Sequence, residues 1–312
     1  SFQAEDGIRD DISCLVGSEM CIRDRAMAAL LTFPAVVAAQ EPVHRDVEVF
    51  GQNIHYAELG EGRPLVMLHG LWGGLNEWQP VLEPLARSHR VIVLDFPGFH
   101  GSDKPDVHYH NALLSQFLAG FIDALGLEDV VLMGHAMGAN TATYTAVHHP
   151  QDIAALILVD GAGYRNPDRD LAKPLPEGMI RFRRVATGSS LAATRGLLER
   201  RVADPSLVTD EWVAEAYALW IDSARAIGDM LLEGGDVAEE EMRGIALPTL
   251  VVWGAKDRVF SPDNATRLEN DIAGAEVHRI EGAGHLPQIE KTEAFLAAVL
   301  PFLNDNRTPN DD

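Results

Sequence analysis

Five short segments of this 312-residue chain carry residue types whose spacing could do chemistry. Gly134-His135-Ala136-Met137-Gly138 follows an apolar run and opens a helix-length segment. Glycines flanking one residue in this way permit the strained strand-to-helix turn that lifts a single side chain to a sheet edge, the G-x-S-x-G geometry that presents a nucleophile. Here the lifted side chain is the methyl group of Ala136, which has no oxygen to attack with. His69-Gly70-Leu71-Trp72-Gly73-Gly74 ends a second apolar run, and the backbone N–H of Leu71 is the foremost candidate to pair with that of Met137 as an oxyanion hole. Two further runs lead through Gly254-Ala255-Lys256 to Asp257 and through Gly282-Ala283-Gly284 to His285. A carboxylate and an imidazole thus stand just past strand ends. The turn Asp95-Phe96-Pro97-Gly98-Phe99-His100-Gly101-Ser102-Asp103 completes the set.

The elements that must position these residues alternate. Residues 47–50 and 53–58 alternate in polarity around Gly51, as a short antiparallel hairpin does. Runs at 65–68, 91–94, 130–133, 155–159, 249–253 and 276–280 are mostly continuous and apolar, the pattern of strands buried on both faces. Helix-length segments lie near 75–88, 110–125, 137–148, 262–272 and 290–303. This alternation predicts an α/β sheet, mostly parallel after its first strands, with ligands bound outside the carboxyl ends of the strands. Residues 164–243 break the rhythm: helical spacing at Leu191, Leu197, Leu198, Trp212, Ala216, Leu219 and Trp220 predicts a helical insertion over the sheet.

The chain order 136, 257, 285, together with the two glycine turns and the Asp95–Asp103 loop, resembles the α/β-hydrolase superfamily in its capped form, over roughly residues 45–303. The resemblance implies a core at 40–163 and 244–303, a helical cap at 164–243 and a polar tail at 304–312. It implies His285 as general base, Asp257 as its orienting acid, Leu71 and Met137 as oxyanion donors, and position 136 as the nucleophile. Its chemistry would be hydrolysis of an ester or other acyl bond on a small, mostly apolar substrate, without metal or cofactor, in a monomer by default. Ala136 departs from the pattern. Removing the serine of such a triad costs about 10⁶ in kcat, so the chain is expected to be impaired as a hydrolase. Two alternatives stay open: a His285/Asp257 dyad doing lyase or cofactor-independent oxygenase chemistry, and a binding protein that holds a ligand it cannot cleave.

Other residues are weighed against blander roles. Ser102, Thr141 and Thr143 are poor substitutes for a serine at 136, by position. Asp160, past the 155–159 run, is the second-ranked acid. His135 and His69 are read as structural, and His108, His110, His148 and His149 lack the neighbours of a metal site. Trp72 is taken as substrate-binding and Trp78 as core, while Trp212, Tyr217 and Trp220 face either the cavity or the insertion's own interior.

The formal charge of −22, from 47 acids against 25 lysines and arginines, excludes a phosphate-backbone partner. No run of eighteen apolar residues exists to span a membrane. Residues 3–10 and 14–25 resemble translated sequencing-library adapter and are set aside from fold reasoning, with both cysteines, Cys14 and Cys21. Residues 26–39 form an apolar stretch ending Val37-Ala38-Ala39, read as a truncated signal peptide. The expected location is therefore periplasmic or secreted, with the cytoplasm as the alternative.

Overall fold

A computed structural model describes residues 41–161, 163–164, 177–187, 190–233 and 237–306. The adapter-like segment, the stretch at 26–39 read as a leader and residues 307–312 lie outside the described residues; the tail expected at 304–312 starts too early, because the last helix runs on to Asp305.

The chain begins with β1 (Val43–Val49) and β2 (Gln52–Leu59), continues through β3 (Arg63–Leu68), α1 (Leu75–Ala86), β4 (His89–Leu94) and α2 (Asn111–Ala124), and reaches β5 (Val130–His135), α3 (Met137–His148) and β6 (Ile153–Val159). Between β6 and the next strand come α4 (Glu177–Ala186), α5 (Leu191–Arg201), a 3₁₀ turn at Pro205–Leu207, α6 (Asp210–Asp222), α7 (Ala224–Glu233) and α8 (Glu239–Met242). The sheet resumes with β7 (Thr249–Gly254), α9 (Asp263–Asp271) and β8 (Glu276–Ile280), and the chain closes with α10 (Pro287–Glu290) and α11 (Thr292–Asp305). No helix among the described residues is long and apolar enough to cross a membrane.

The eight strands form one sheet in the order β1-β2-β4-β3-β5-β6-β7-β8. The β1–β2 and β2–β4 pairs are antiparallel and every other pair is parallel. The expected hairpin is present, turning through Phe50 and Gly51 at φ 52° and 74°, the left-handed pair that a two-residue turn between twisted strands demands.

Side chains of the central strands alternate between two cores. Val66, Leu68, Leu132, Leu156 and Leu158 pack with α2 and α3 residues such as Leu114, Phe121 and Ala142. Leu65, Met67, Val131, Met133 and Ile157 pack with Trp78, Val81 and Leu85 of α1 and with Phe295 and Val299 of α11. Burying each such side chain is worth about 1.5–3 kcal/mol, so strands apolar on both faces are drawn inside the sandwich of helices. The edge strand β8 pairs with a neighbour on one side only, and its Glu276, His278 and Arg279 are exposed.

From β3 the chain steps to β4 on one side and later to β5 on the other, so the strand order reverses across β3 and β5. A crevice opens at such a point, outside the carboxyl ends of the strands. The loops after β3 and β5, which carry Leu71 and Ala136, flank it. Helices α4 to α8 occupy the interval expected to be a helical insertion. Its ends are clipped together where Tyr164 bridges Val237 and the Val237 N–H donates to the Gly163 carbonyl at 3.0 Å.

Candidate active site

The turn between β5 and α3 has the strain its glycines foretold. Ala136 sits at φ 50°, ψ −110°, a backbone conformation that side chains adopt only when their surroundings enforce it. The enforcement is steric. A Cβ on Gly134 would stand 2.4 Å from the Gly138 carbonyl carbon, and one on Gly138 would stand 2.3 Å from the Leu68 carbonyl oxygen. Hydrogen bonds hold the apex on both sides: the Ala136 N–H donates to Val159 O at 2.9 Å, and its carbonyl accepts from Asn140 N–H at 3.0 Å.

His285 comes to the same place from the loop after β8. It is 2% exposed, and its Nδ1–H faces Asp257 Oδ2 at 2.8 Å. The other Asp257 oxygen, Oδ1, accepts the N–H groups of Val259 at 2.7 Å and Phe260 at 3.1 Å. Burial pulls the His285 pKa down to about 4, with electrostatic repulsion from the His135 and Arg201 side adding to it against the hydrogen bond and charge of Asp257. Burial alone would raise the Asp257 carboxyl, but the bonds from His285 and the two amides outweigh it and hold the group below the usual range. At neutral pH the pair is therefore a carboxylate and a neutral imidazole whose Nε2 is its remaining lone pair, the state a general base requires.

Asp160, the second-ranked acid, lies behind this pair. Its Oδ1 accepts the Gly254 N–H at 2.9 Å. Burial first, then the neighbouring charge of Asp257, lifts its pKa well above the ordinary carboxylate value. Two adjacent buried carboxyls cannot both ionise, and Asp257, with three donors, is the one that does.

Ala136, Leu71, Trp72, Met137 and His285 all line one cavity of about 480 Å³. Apart from His285, the polar residues on its described wall are Asn111, Asn140, Arg200 and Arg201. No hydroxyl, thiol, carboxylate or amine side chain stands among the described lining residues. Ser102 is buried elsewhere, donating to Asp95 O at 2.6 Å and accepting from His55 N–H at 2.8 Å. Thr141 and Thr143 donate to the Met137 and Ala139 carbonyls of their own helix. Trp78 is fully buried in the core. Trp72 lines the cavity and also ties the helical segment to the sheet: its Nε1–H donates to Ala186 O at 3.0 Å, and its carbonyl accepts from Trp220 Nε1–H at 2.9 Å. Trp212, Tyr217 and Trp220 are not part of the cavity wall.

Two groups of metal-ligand type converge among the described residues, His69 with Asp95 and His100, and Asp160 with Asp257 and His285. His69 Nδ1–H donates to Gly70 O at 2.7 Å while its Nε2 accepts from Phe96 N–H at 3.2 Å, and burial holds its pKa down to about 4.

Glu77 and Arg201 are central residues that motif reading missed. Glu77 Oε2 accepts the Gly70 N–H at 2.8 Å, and Oε1 lies 2.8 Å from His135 Nδ1 and 2.9 Å from Arg201 Nη2. His135 Nε2–H in turn donates to the His285 carbonyl at 2.7 Å, and the His285 N–H donates to Arg201 O at 2.6 Å. The signal was present in the helical periodicity. Glu77 shares a stripe with Val81 and Leu85, and Arg201 shares one with Leu197 and Leu198, so both charges fall where a helix turns its face inward.

Comparison with known proteins agrees with this geometry. The chain is 29% identical over 272 residues to the 2-hydroxy-6-oxo-6-(2'-aminophenyl)hexa-2,4-dienoic acid hydrolase of Metapseudomonas resinovorans, covering 84% of this chain and 91% of that protein. It is 32% identical over 270 residues to a 2-hydroxy-6-oxononadienedioate/2-hydroxy-6-oxononatrienedioate hydrolase of Pseudomonas putida, covering 80% and 91%. A serine-to-alanine mutant of the meta-cleavage product hydrolase of Pseudomonas fluorescens IP01, complexed with acetates, superposes with a TM-score of 0.73 at 26% identity, covering 84% of this chain and 98% of that one. The model of the alpha/beta hydrolase fold family matches residues 63–292. That stretch runs from the first residue of β3, through the turn at Ala136 and the loops of Asp257 and His285, to the first residue of α11: the chain belongs to the α/β-hydrolase fold family.

Proposed function

We propose that the cavity is the substrate site of a hydrolase for a small, mostly apolar molecule with a reactive acyl carbon, an ester or the ketone of an oxo acid such as those named for the relatives. The covalent step is silenced at Ala136. In this reading His285 Nε2 is the general base, Asp257 fixes the Nδ1–H tautomer, and the N–H groups of Leu71 and Met137 receive the oxyanion. One observation carries it: the strained apex at φ 50° is retained beside an intact His285–Asp257 pair, although the residue on it has nothing to present. With Ala136 no proton passes to His285 and no acyl bond forms, so the chain binds its substrate and at most speeds attack by water about 10³–10⁴-fold, the residue left by hole and binding alone.

The test compares residues 40–312 bearing Ala136 with the Ala136→Ser variant. Each is treated with a fluorophosphonate and the adduct is located by mass spectrometry. Labelling of the variant alone, at position 136, is the expected result. Absence of labelling in both would defeat the reading.

A second reading is favoured by the neutral state of His285 in a cavity whose described wall offers no other base: proton abstraction from a carbon acid by the dyad alone. It predicts that the native chain, but not His285→Asn, accelerates C–H exchange of a 1,3-diketone in D₂O. Equal exchange rates would remove it.

A further inference from the structure

We infer that the cavity is built for a carboxylate-bearing ligand, a small acid with an apolar body, and that Arg201 receives the carboxylate. The inference rests on the reading of the cavity as the ligand site.

Charge is distributed against expectation. In a chain with 47 acids and 25 lysines and arginines, the described wall of the cavity holds two arginines and no aspartate or glutamate. Arg200 is exposed at the rim, where a positive charge speeds the approach of an anion. Arg201 is deep, its side chain 5% exposed.

Arg201 is also under-used. A guanidinium carries five N–H donors and no acceptor. Among the described residues, the one hydrogen bond this guanidinium makes is from Nη2 to Glu77 at 2.9 Å, and its Nε is buried without a partner. Glu77 has no capacity to spare, since Oε1 is shared with His135 and Oε2 is taken by Gly70. Buried donors are almost always paired. With the Glu77 bond made, the remaining N–H groups of the guanidinium form a planar edge of the kind a carboxylate meets with two parallel bonds. The Trp72 ring, with its centroid 5.9 Å from the guanidinium carbon, steadies the plane of the fork. Leu71, Met137, Phe182, Leu197 and Met230 form the apolar wall for the rest of the ligand.

The native chain suits the test, because Ala136 removes turnover. Binding of 4-phenylbutyrate, 4-phenylbutyramide and 4-phenylbutanol is measured by isothermal titration calorimetry at pH 7.5, with Arg201→Lys as the conservative variant and Arg201→Met/Glu77→Gln as one that leaves no lone buried charge. The acid is expected to bind at least about 10-fold more tightly than the amide or the alcohol, since a charge-assisted pair outweighs a neutral one. That preference should fall several-fold in Arg201→Lys and vanish in the double variant. Arg200→Ala, at the rim, should slow association and leave the preference intact. Equal affinity for all three compounds would keep the cavity as a ligand site and overturn the carboxylate assignment. Acid preference surviving in the double variant would overturn the role of Arg201. No binding of any of the three would overturn both the assignment and the reading of the cavity beneath it.

Discussion

Glu77 and Arg201, 124 residues apart in the chain, meet at 2.9 Å with both side chains almost wholly buried. The pair joins α1 of the core to the last residue of α5 in the helical insertion. Through the further contacts of Glu77 with Gly70 and His135, it also ties the loop after β3 to the end of β5. Removing one partner of a buried ion pair leaves the other charge stranded, at a cost of about 3–5 kcal/mol. Glu77→Gln is therefore expected to lose that much in urea unfolding. Arg201→Met added to it should recover a large part, because the two sites are in direct contact and non-additive. A loss below about 1 kcal/mol for Glu77→Gln would show that the pair does not hold the segments together.

Asp160 offers a sharper contrast with its neighbour. A carboxyl kept protonated has one acceptor and one donor, and an asparagine amide presents the same pair of functions. Asp160→Asn is expected to cost less than about 1 kcal/mol at pH 7. In the Ala136→Ser background it should leave fluorophosphonate labelling intact, while Asp257→Asn, which removes the charge facing His285, should reduce the labelling rate by about 10⁴-fold. Comparable losses for the two variants would mean that Asp160 carries the charge.

The buried histidines set an acid limit on stability. His69 and His285 have pKa values pulled down to about 4 from 6.5, so between pH 6.5 and 4 unfolding takes up a proton at each. Stability must then fall as the pH drops through that window, by about 1.4 kcal/mol per pH unit for each group. Asp160 works in the opposite sense: its raised pKa means that unfolding releases a proton there. Asp160, together with the Glu290 carboxyl that burial also raises, subtracts from the slope set by the two histidines, and Asp160→Asn should steepen it. Urea titrations at half-unit steps of pH read this directly, and an Asp160→Asn profile no steeper than the native one would contradict the protonated, buried state of Asp160.

The strained turn should resist enlargement at its flanks. Gly138→Ala would put a methyl 2.3 Å from the Leu68 carbonyl oxygen, a backbone atom that can yield only if β3 shifts. A loss of more than about 2 kcal/mol is expected, larger than the cost of typical single substitutions. Ala136→Gly, by contrast, relaxes the residue at φ 50° and should be neutral or stabilising by up to about 1 kcal/mol. Equal effects of the two changes in thermal unfolding would mean that the turn is not under steric constraint.

Local patterns determined much of this protein without the tertiary structure. Every strand of the core, and every core helix but the short α10, was legible to within a few residues, because a strand buried on both faces must be apolar throughout and a helix must begin and end at recognisable breakers. The loops carrying Leu71, Ala136, Asp257 and His285 followed, since chemistry in an open α/β sheet gathers past the carboxyl ends of its strands. What the tertiary structure decided is which side chains meet. His135 next to His285 and Glu77 next to Arg201 depend on the sheet order and on how the helical segment docks, and no spacing in the chain encodes either. Trp72, taken as substrate-binding, has a second role for the same reason: its contacts with Ala186 and Trp220 place it between the segment and the core, with the cavity beside it. The protonation of Asp160 is likewise a product of depth and proximity, because a carboxyl's charge is set by what surrounds it and a sequence lists only what precedes and follows it.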